Sequence, residues 1–232
     1  MMNTQTLVVP RFTYVPMNRQ SIEGRRHYCT PTGEKLPSVT TILSATMPQE
    51  KIDGLNNWRN AVGWAKAQTI TTEAAGVGTT MHKMLEEHTL GLAKPAGTNL
   101  VQKIAYPMAQ TIIENGLAHL SECWGTEVPL YFPGLYAGST DGCGIWKGNE
   151  AIYDFKQTNK KKKREYIDDY MIQLVAYAAA HNEVYGTKIR TGVIMMCSRA
   201  CEYQEFVLEG AEWDSYVSQW WDRVERYYSV VA

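Results

Sequence analysis

Asp154 and Lys156 stand two residues apart in AIYDFKQT, a run whose composition suits a β-strand. Alternate strand positions share a face, so a carboxylate and an ammonium project to one side while Tyr153 and Phe155 point into packing. Asp141 lies in the Gly-rich GSTDGCG, close enough in sequence for a hairpin to bring the two aspartates together. Two like charges at short range need a cation, and hard carboxylate oxygens favour Mg2+ or Mn2+. One or two such ions, with a lysine to orient or deprotonate water, would equip a site to hydrolyse an anionic phosphodiester. The same residues also have an ordinary reading, because Asp in a Gly-rich turn commonly caps that turn.

Two helical patterns add to this set. GVGTTMHKMLEE puts His82 and Glu86 on one helical face, and neutral imidazole is a legitimate metal ligand. YMIQLVAYAAA puts Gln173 and Tyr177 four apart, just after the D-x-K strand. An amide in so apolar a run must find a partner, and Lys156 or a water is a suitable one.

The elements that must position these residues can be read coarsely. LVVPRFTYV suits an edge strand, and RRHYCTPTGEKLPS a strand, a turn and a second start. Ser38 or Thr40 can cap a short helix through VTTILSAT. Helical spacing then dominates residues 50–121. A first helix carries Leu55, Trp58, Val62 and Ala65, and a second contains His82, with Gly76 and Gly78 weakening its first turn. A third should bend or split at Pro107. Strands are expected near 126–132, 136–146 and 150–157, with a turn at Lys147–Gly148–Asn149. A helix ending at Gly186, two more strands and an aromatic-striped terminal helix follow. This order predicts one α/β domain over residues 1–232, a mixed central sheet flanked by helices. It divides into a mostly helical region at 1–121, a sheet core at 122–210 and a terminal helix at 211–232.

Composition excludes several classes. A net charge of -1 rules out a globally basic nucleic-acid binder, so any such surface must be local. Five irregularly spaced cysteines do not read as a disulfide scaffold, and a reducing cytoplasm, or that of a host cell, is the expected compartment. No apolar run is long enough to span a membrane, and the N-terminus from Met1 does not read as a secretory signal.

In order, GTTMH, GSTDG, IYDFKQT and QLVAY resemble the PD-(D/E)XK nuclease superfamily, in its RecB-like exonuclease branch, which includes mitochondrial and phage enzymes. LPSVTTIL and LNNWRNAVGWA are similar to the N-terminal part of these exonucleases. The resemblance runs from about residue 36 to about 180. It implies a restriction-endonuclease-like core. It also implies that His82, Asp141, Asp154 and the backbone carbonyl of Phe155 bind Mg2+ or Mn2+. Lys156 would be the catalytic lysine, and Gln173 and Tyr177 would support the site and contact the substrate backbone. The third acidic position is Asp rather than the Glu of many restriction enzymes, as this branch allows.

The substrate implied is DNA, single-stranded or with a single-stranded end, in phage-type replication, recombination or degradation. A structure-selective DNA endonuclease and a non-catalytic nucleic-acid-binding protein on the same fold are the rival readings. Lys160, Lys161, Lys162, Lys163 and Arg164 follow Lys156 without an intervening acid, and a basic loop there would hold phosphates at the mouth of the site. Arg25 and Arg26 form a smaller candidate patch. Trp58, Trp64 and Tyr170 are candidates to stack on unpaired bases. No oligomer signal or protein partner is visible.

Overall fold

The computed structural model describes residues 7–231. The N-terminal hexapeptide and Ala232, the ends of the first and last predicted segments, lie outside the described residues. Two sheets are present. A small antiparallel one joins β1 (Asn18–Ile22), β2 (Arg25–Cys29) and β3 (Lys35–Pro37). The central one has the order β4 (Leu120–Phe132), β5 (Tyr136–Trp146), β6 (Asn149–Thr158), β7 (Thr191–Ser198) and β8 (Tyr203–Leu208). Its only parallel pair is β6–β7, so it is a mixed sheet. The β5–β6 connection is a two-residue turn with positive φ at Lys147 and Gly148, a geometry that matches strand twist.

Helices cover both faces. α1 (Val39–Ala45), α5 (Asp168–Tyr185) and α6 (Gly210–Val231) pack on one side, and α3 (Trp64–Thr89) and α4 (Leu100–Asn115) on the other. Strand alternation sorts the side chains. Ile152, Ile194 and Met196 join the α5 core, while Tyr153, Phe155, Val193 and Met195 join the α3–α4 core. The stripe of Trp213, Trp220, Val224 and Tyr227 on α6 is buried against the first of these cores.

Several details depart from expectation. Among the described residues LVVPRFTYV forms a single bridge, from Val8 to Cys123, rather than a strand. Ser38, not Thr40, caps α1, its Oγ accepting from the Thr41 N–H at 3.0 Å. The helix expected to run through Leu55–Ala65 breaks at Gly63, whose φ of 86° is outside the helical region. The break leaves α2 (Gln49–Val62) without a buried residue, so Leu55 at 42% and Trp58 at 37% exposure are surface, not core. Gly76 and Gly78 sit in the middle of α3, not its first turn. α4 runs through Pro107 unsplit, with Ala105, Met108, Ala109 and Ile112 buried on either side of it. Proline there removes one backbone donor, and packing outweighs the loss.

Candidate active site

The site forms where β5 and β6 part. Their ladder runs from Trp146–Asn149 to Gly142–Tyr153 and stops. A Cβ at Gly142 would overlap the Tyr153 ring, so glycine permits the close approach there. Beyond that point side chains from β5 replace the backbone. Thr140 Oγ1 donates to the Tyr153 carbonyl at 3.2 Å, and Asp141 Oδ2 accepts from the Phe155 N–H at 2.6 Å. The widening strands open a cleft of about 830 Å³ whose walls include His82, Asp141, Lys156 and Tyr177.

Asp141 ties this fork to α3. Its Oδ1 lies 3.0 Å from His82 Nδ1. An ionised Asp141 makes Nδ1 the donor and leaves Nε2 free to accept or to ligate. Burial alone would raise the Asp141 pKa, but His82, Lys156 and the Phe155 N–H hold it below the ordinary carboxylate range. Burial would likewise lower His82, yet Asp141 outweighs it and the imidazole pKa rises. The His82 ring also meets Phe155 edge-on, with centroids 6.0 Å apart.

Asp154 and Lys156 project towards α5. They form an ion pair through the buried Asp154 Oδ2. Burial first, and then Asp141, push the Asp154 pKa up to about 6 against the pull of Lys156. Burial opposes the charge on Lys156, but Asp154 and Asp141 outweigh it and hold the ammonium pKa above its usual value. Gln173 Oε1 accepts from Lys156 Nζ at 3.5 Å, a long bond, and the Tyr170 ring lies 4.8 Å from that nitrogen. The predicted amide–lysine partnership is therefore present in space. Tyr177 is buried one turn on, against Gly138, where a Cβ would come within 2.7 Å of its ring.

Glu127 went unnoticed in the sequence. One ligand atom each from His82, Glu127 and Asp141 falls within 4.8 Å of the others. The pairs Thr126–Gly142 and Val128–Thr140 bracket Glu127 and Asp141, setting them opposite each other across the β4–β5 hairpin. Like charges so placed repel. Glu127 also has φ of 50°, unusual for a non-glycine residue. Although its residue surface is largely open, the cleft wall displaces part of its hydration, and this, followed by Asp141, pushes its pKa up to about 7. Counting the hairpin register outward from the turn near residue 134 would have found it. Glu86 lines the cleft but does not join that group of three.

The basic run is elsewhere. After Thr158 the chain turns along β8, where Lys162 N donates to Gln204 Oε1 at 2.8 Å and Gln204 Nε2 donates to the Lys162 carbonyl at 2.9 Å. None of Lys160, Lys161, Lys162, Lys163 or Arg164 lines the cleft. Lys161, Lys163 and Arg164 face Glu202, Glu165 and Glu212 at 3.2, 3.8 and 2.7 Å. The cations on the cleft wall, apart from Lys156, are Arg19, Arg26 and Lys83, of which only Arg26 stood out in the sequence. Arg25 lines a smaller adjoining depression with Arg26. Trp58 and Trp64 are exposed on α2 and α3, away from the cleft lining, and Tyr170 lies beside Lys156.

No family model matches the chain. It is 26% identical over 208 residues to the mouse protein named mitochondrial genome maintenance exonuclease 1, a match that covers 83% of this chain and 59% of that protein's length. A provisionally named exonuclease of Eubacterium rectale aligns in structure with a TM-score of 0.48 at 15% identity, over 66% of this chain and 64% of its own. An alkaline exonuclease from Laribacter hongkongensis aligns with a TM-score of 0.32 at 15% identity, over 69% of this chain and 89% of its own. The mixed five-stranded sheet between helices is consistent with a restriction-endonuclease-like core. The sequence match supports a relationship of this chain to the PD-(D/E)XK-like exonucleases.

Proposed function

We propose that this chain is a metal-dependent deoxyribonuclease that hydrolyses phosphodiester bonds from single-stranded DNA ends, in phage-type replication, recombination or degradation. The observation that carries the reading is the fork itself. Asp141 is bound at once to His82 and to the Phe155 N–H, beside a buried Asp154–Lys156 pair whose lysine lines the same cleft.

The donor set fits a hard divalent cation. Glu127 and Asp141 oppose each other across the hairpin, with His82 completing a group of three possible ligands, and Asp154 is a buried carboxylate whose partner is Lys156. His82, Asp141, Asp154 and the Phe155 carbonyl would hold Mg2+ or Mn2+, and Glu127 is added to them on geometry. When bound, such an ion lowers the pKa of water and offsets charge on the phosphate and leaving oxygen.

The remaining work falls to the chain's own groups. Lys156, held as an ammonium by two carboxylates, is suited to orient water and to face developing phosphate charge rather than to accept a proton. Gln173 fixes its Nζ, while His82 steadies Asp141. Tyr177 projects into the same cleft, where its hydroxyl can meet the substrate backbone.

The test is hydrolysis of end-labelled linear single-stranded DNA, with a closed single-stranded circle alongside, in Mg2+ and in Mn2+. Metal-dependent release of nucleotides from the linear strand alone is expected. Equal cutting of the circle would remove the end requirement, and no hydrolysis in either metal would overturn the reading.

A further inference from the structure

The small β1–β3 sheet has no role in the chemistry just described, yet it forms one wall of the cleft. β3 leads through the Ser38–Ala137 bridge onto β5, which places the sheet beside the fork. In the β1–β2 register Arg19 pairs with Tyr28 and Ser21 with Arg26. Paired residues, and residues two apart on one strand, share a face. Arg19, Tyr28 and Arg26 therefore stand together, and all three line the cleft with Lys156 and Asp141.

Both arginines are exposed, and neither has an ion-pair partner among the described residues. The backbone of Arg26, not its side chain, does the structural work: its carbonyl accepts from the Ser38 N–H at 2.9 Å and from Thr41 Oγ1 at 2.8 Å. The guanidinium is left free, and its field reaches Tyr177. A fork of N–H donors matches a phosphate in geometry as well as charge. Tyr28 between the two arginines offers a ring face suited to an unpaired base. The lysine-rich run after β6 lacks these properties, with three of its five cations facing carboxylates and none lining the cleft.

We infer that the Arg19–Tyr28–Arg26 face is the polynucleotide-binding wall. Its arginines hold backbone phosphates of a single strand next to the scissile bond, and Tyr28 stacks on a base. The inference deepens the nuclease reading and rests on it. Binding through this wall is independent of base sequence, since phosphates and a ring face carry no base-edge readout. The strand then crosses the cleft between the small sheet and α3, where Lys83 lines the facing wall.

The experiment measures binding of a short single-stranded oligodeoxynucleotide to the full chain in EDTA, across a salt series, with metal-dependent cleavage by the wild type assayed separately. The R19A/R26A protein should bind on the order of tenfold or more weaker. Its log–log salt slope should fall by about 1.4, from ~0.7 per phosphate contact on a single strand. Y28A should lose roughly five- to 150-fold without changing the slope, a range that follows from base stacking worth ~1–3 kcal/mol. K160A/K162A should match the wild type. R19K/R26K, which keeps the charge without the fork, should keep the slope but lose affinity, and it separates lost recognition from misfolding. Unchanged binding by R19A/R26A, or a larger loss in K160A/K162A, overturns the inference while wild-type cleavage leaves the nuclease reading standing. Oligonucleotide binding absent from the wild type overturns the inference as well, and absence of cleavage then counts separately against the nuclease reading.

Discussion

At the fork between β5 and β6, Asp141, Asp154, Lys156 and His82 are largely withdrawn from water. In the loop after β6, four lysines and an arginine stand in or near it. Both regions concentrate charge, and both stood out in the sequence. Their consequences differ because of hydration. A charge taken out of water must be matched by a partner at a defined distance, so each buried group constrains the next. A solvated lysine is satisfied wherever it points. Its pairing with a nearby glutamate contributes about 0–1 kcal/mol and fixes little. Density of charge along the chain was thus a poor guide to what lines the cleft, and spacing of charge on a buried strand was a good guide to the fork.

The sharpest way to break this contrast is at the fork. K156A and D154N should each reduce metal-dependent DNA hydrolysis by about 10²–10⁴-fold, the usual worth of a positioned acid–base or electrostatic group. Single-turnover rates at saturating DNA would show it, and a loss under threefold in both would remove the fork from the chemistry.

Next in size is D141A. It deletes the acceptor of the buried Phe155 N–H and the partner of His82. Urea unfolding in EDTA should show a loss of about 1–3 kcal/mol, the cost of an unsatisfied buried donor, while relief of repulsion with Asp154 and Glu127 works the other way. An unchanged midpoint would mean that the fork is held open by packing alone.

The pH dependence has a definite sign. Asp154, raised to about 6, and Glu127, raised to about 7, bind protons more tightly folded than unfolded, so each contributes a stability loss as pH rises above its unfolded value. His82, also raised, contributes stability present below its ordinary pKa and lost as pH climbs through the folded one. Asp141, lowered, acts only at acid pH, where its contribution is lost as pH falls. The metal-free protein should therefore lose thermal stability from about pH 4.5 to above 7, and the increment given by Mn2+ should grow over the same window, since ligands bind metal deprotonated. Melting curves with and without Mn2+ check this, and a pH-independent metal increment would contradict it.

The smallest effect belongs to the loop. K160A/K162A should change stability by less than about 0.5 kcal/mol and hydrolysis by less than about threefold. A large loss of activity there would erase the distinction between the two regions.

Much of the fold was legible because local rules act on neighbouring residues. The two-residue turn at Lys147–Gly148, the left-handed Gly186 that ends α5, and the aromatic stripe of α6 all follow from a few adjacent positions. Within the site, the shared face of Asp154 and Lys156 and the reach of Gln173 to Lys156 were legible for the same reason, as alternation and helical spacing are periodic. Gly63 shows the limit. The apolar spacing across it was real, but no core lay beneath α2 to use it.

The sequence by itself determined which charged groups meet at the fork: two aspartates, a lysine and a histidine at spacings that strands and helices convert into faces. Only the tertiary structure decided what surrounds them. Glu127 meets Asp141 through the register of the β4–β5 hairpin, and Arg19 and Arg26 reach the cleft because a separate small sheet docks beside β5. Those contacts join residues more than a hundred positions apart or depend on which residues a hairpin sets opposite each other. Periodicity carries no information about either, because it describes which way a side chain points and not what it meets.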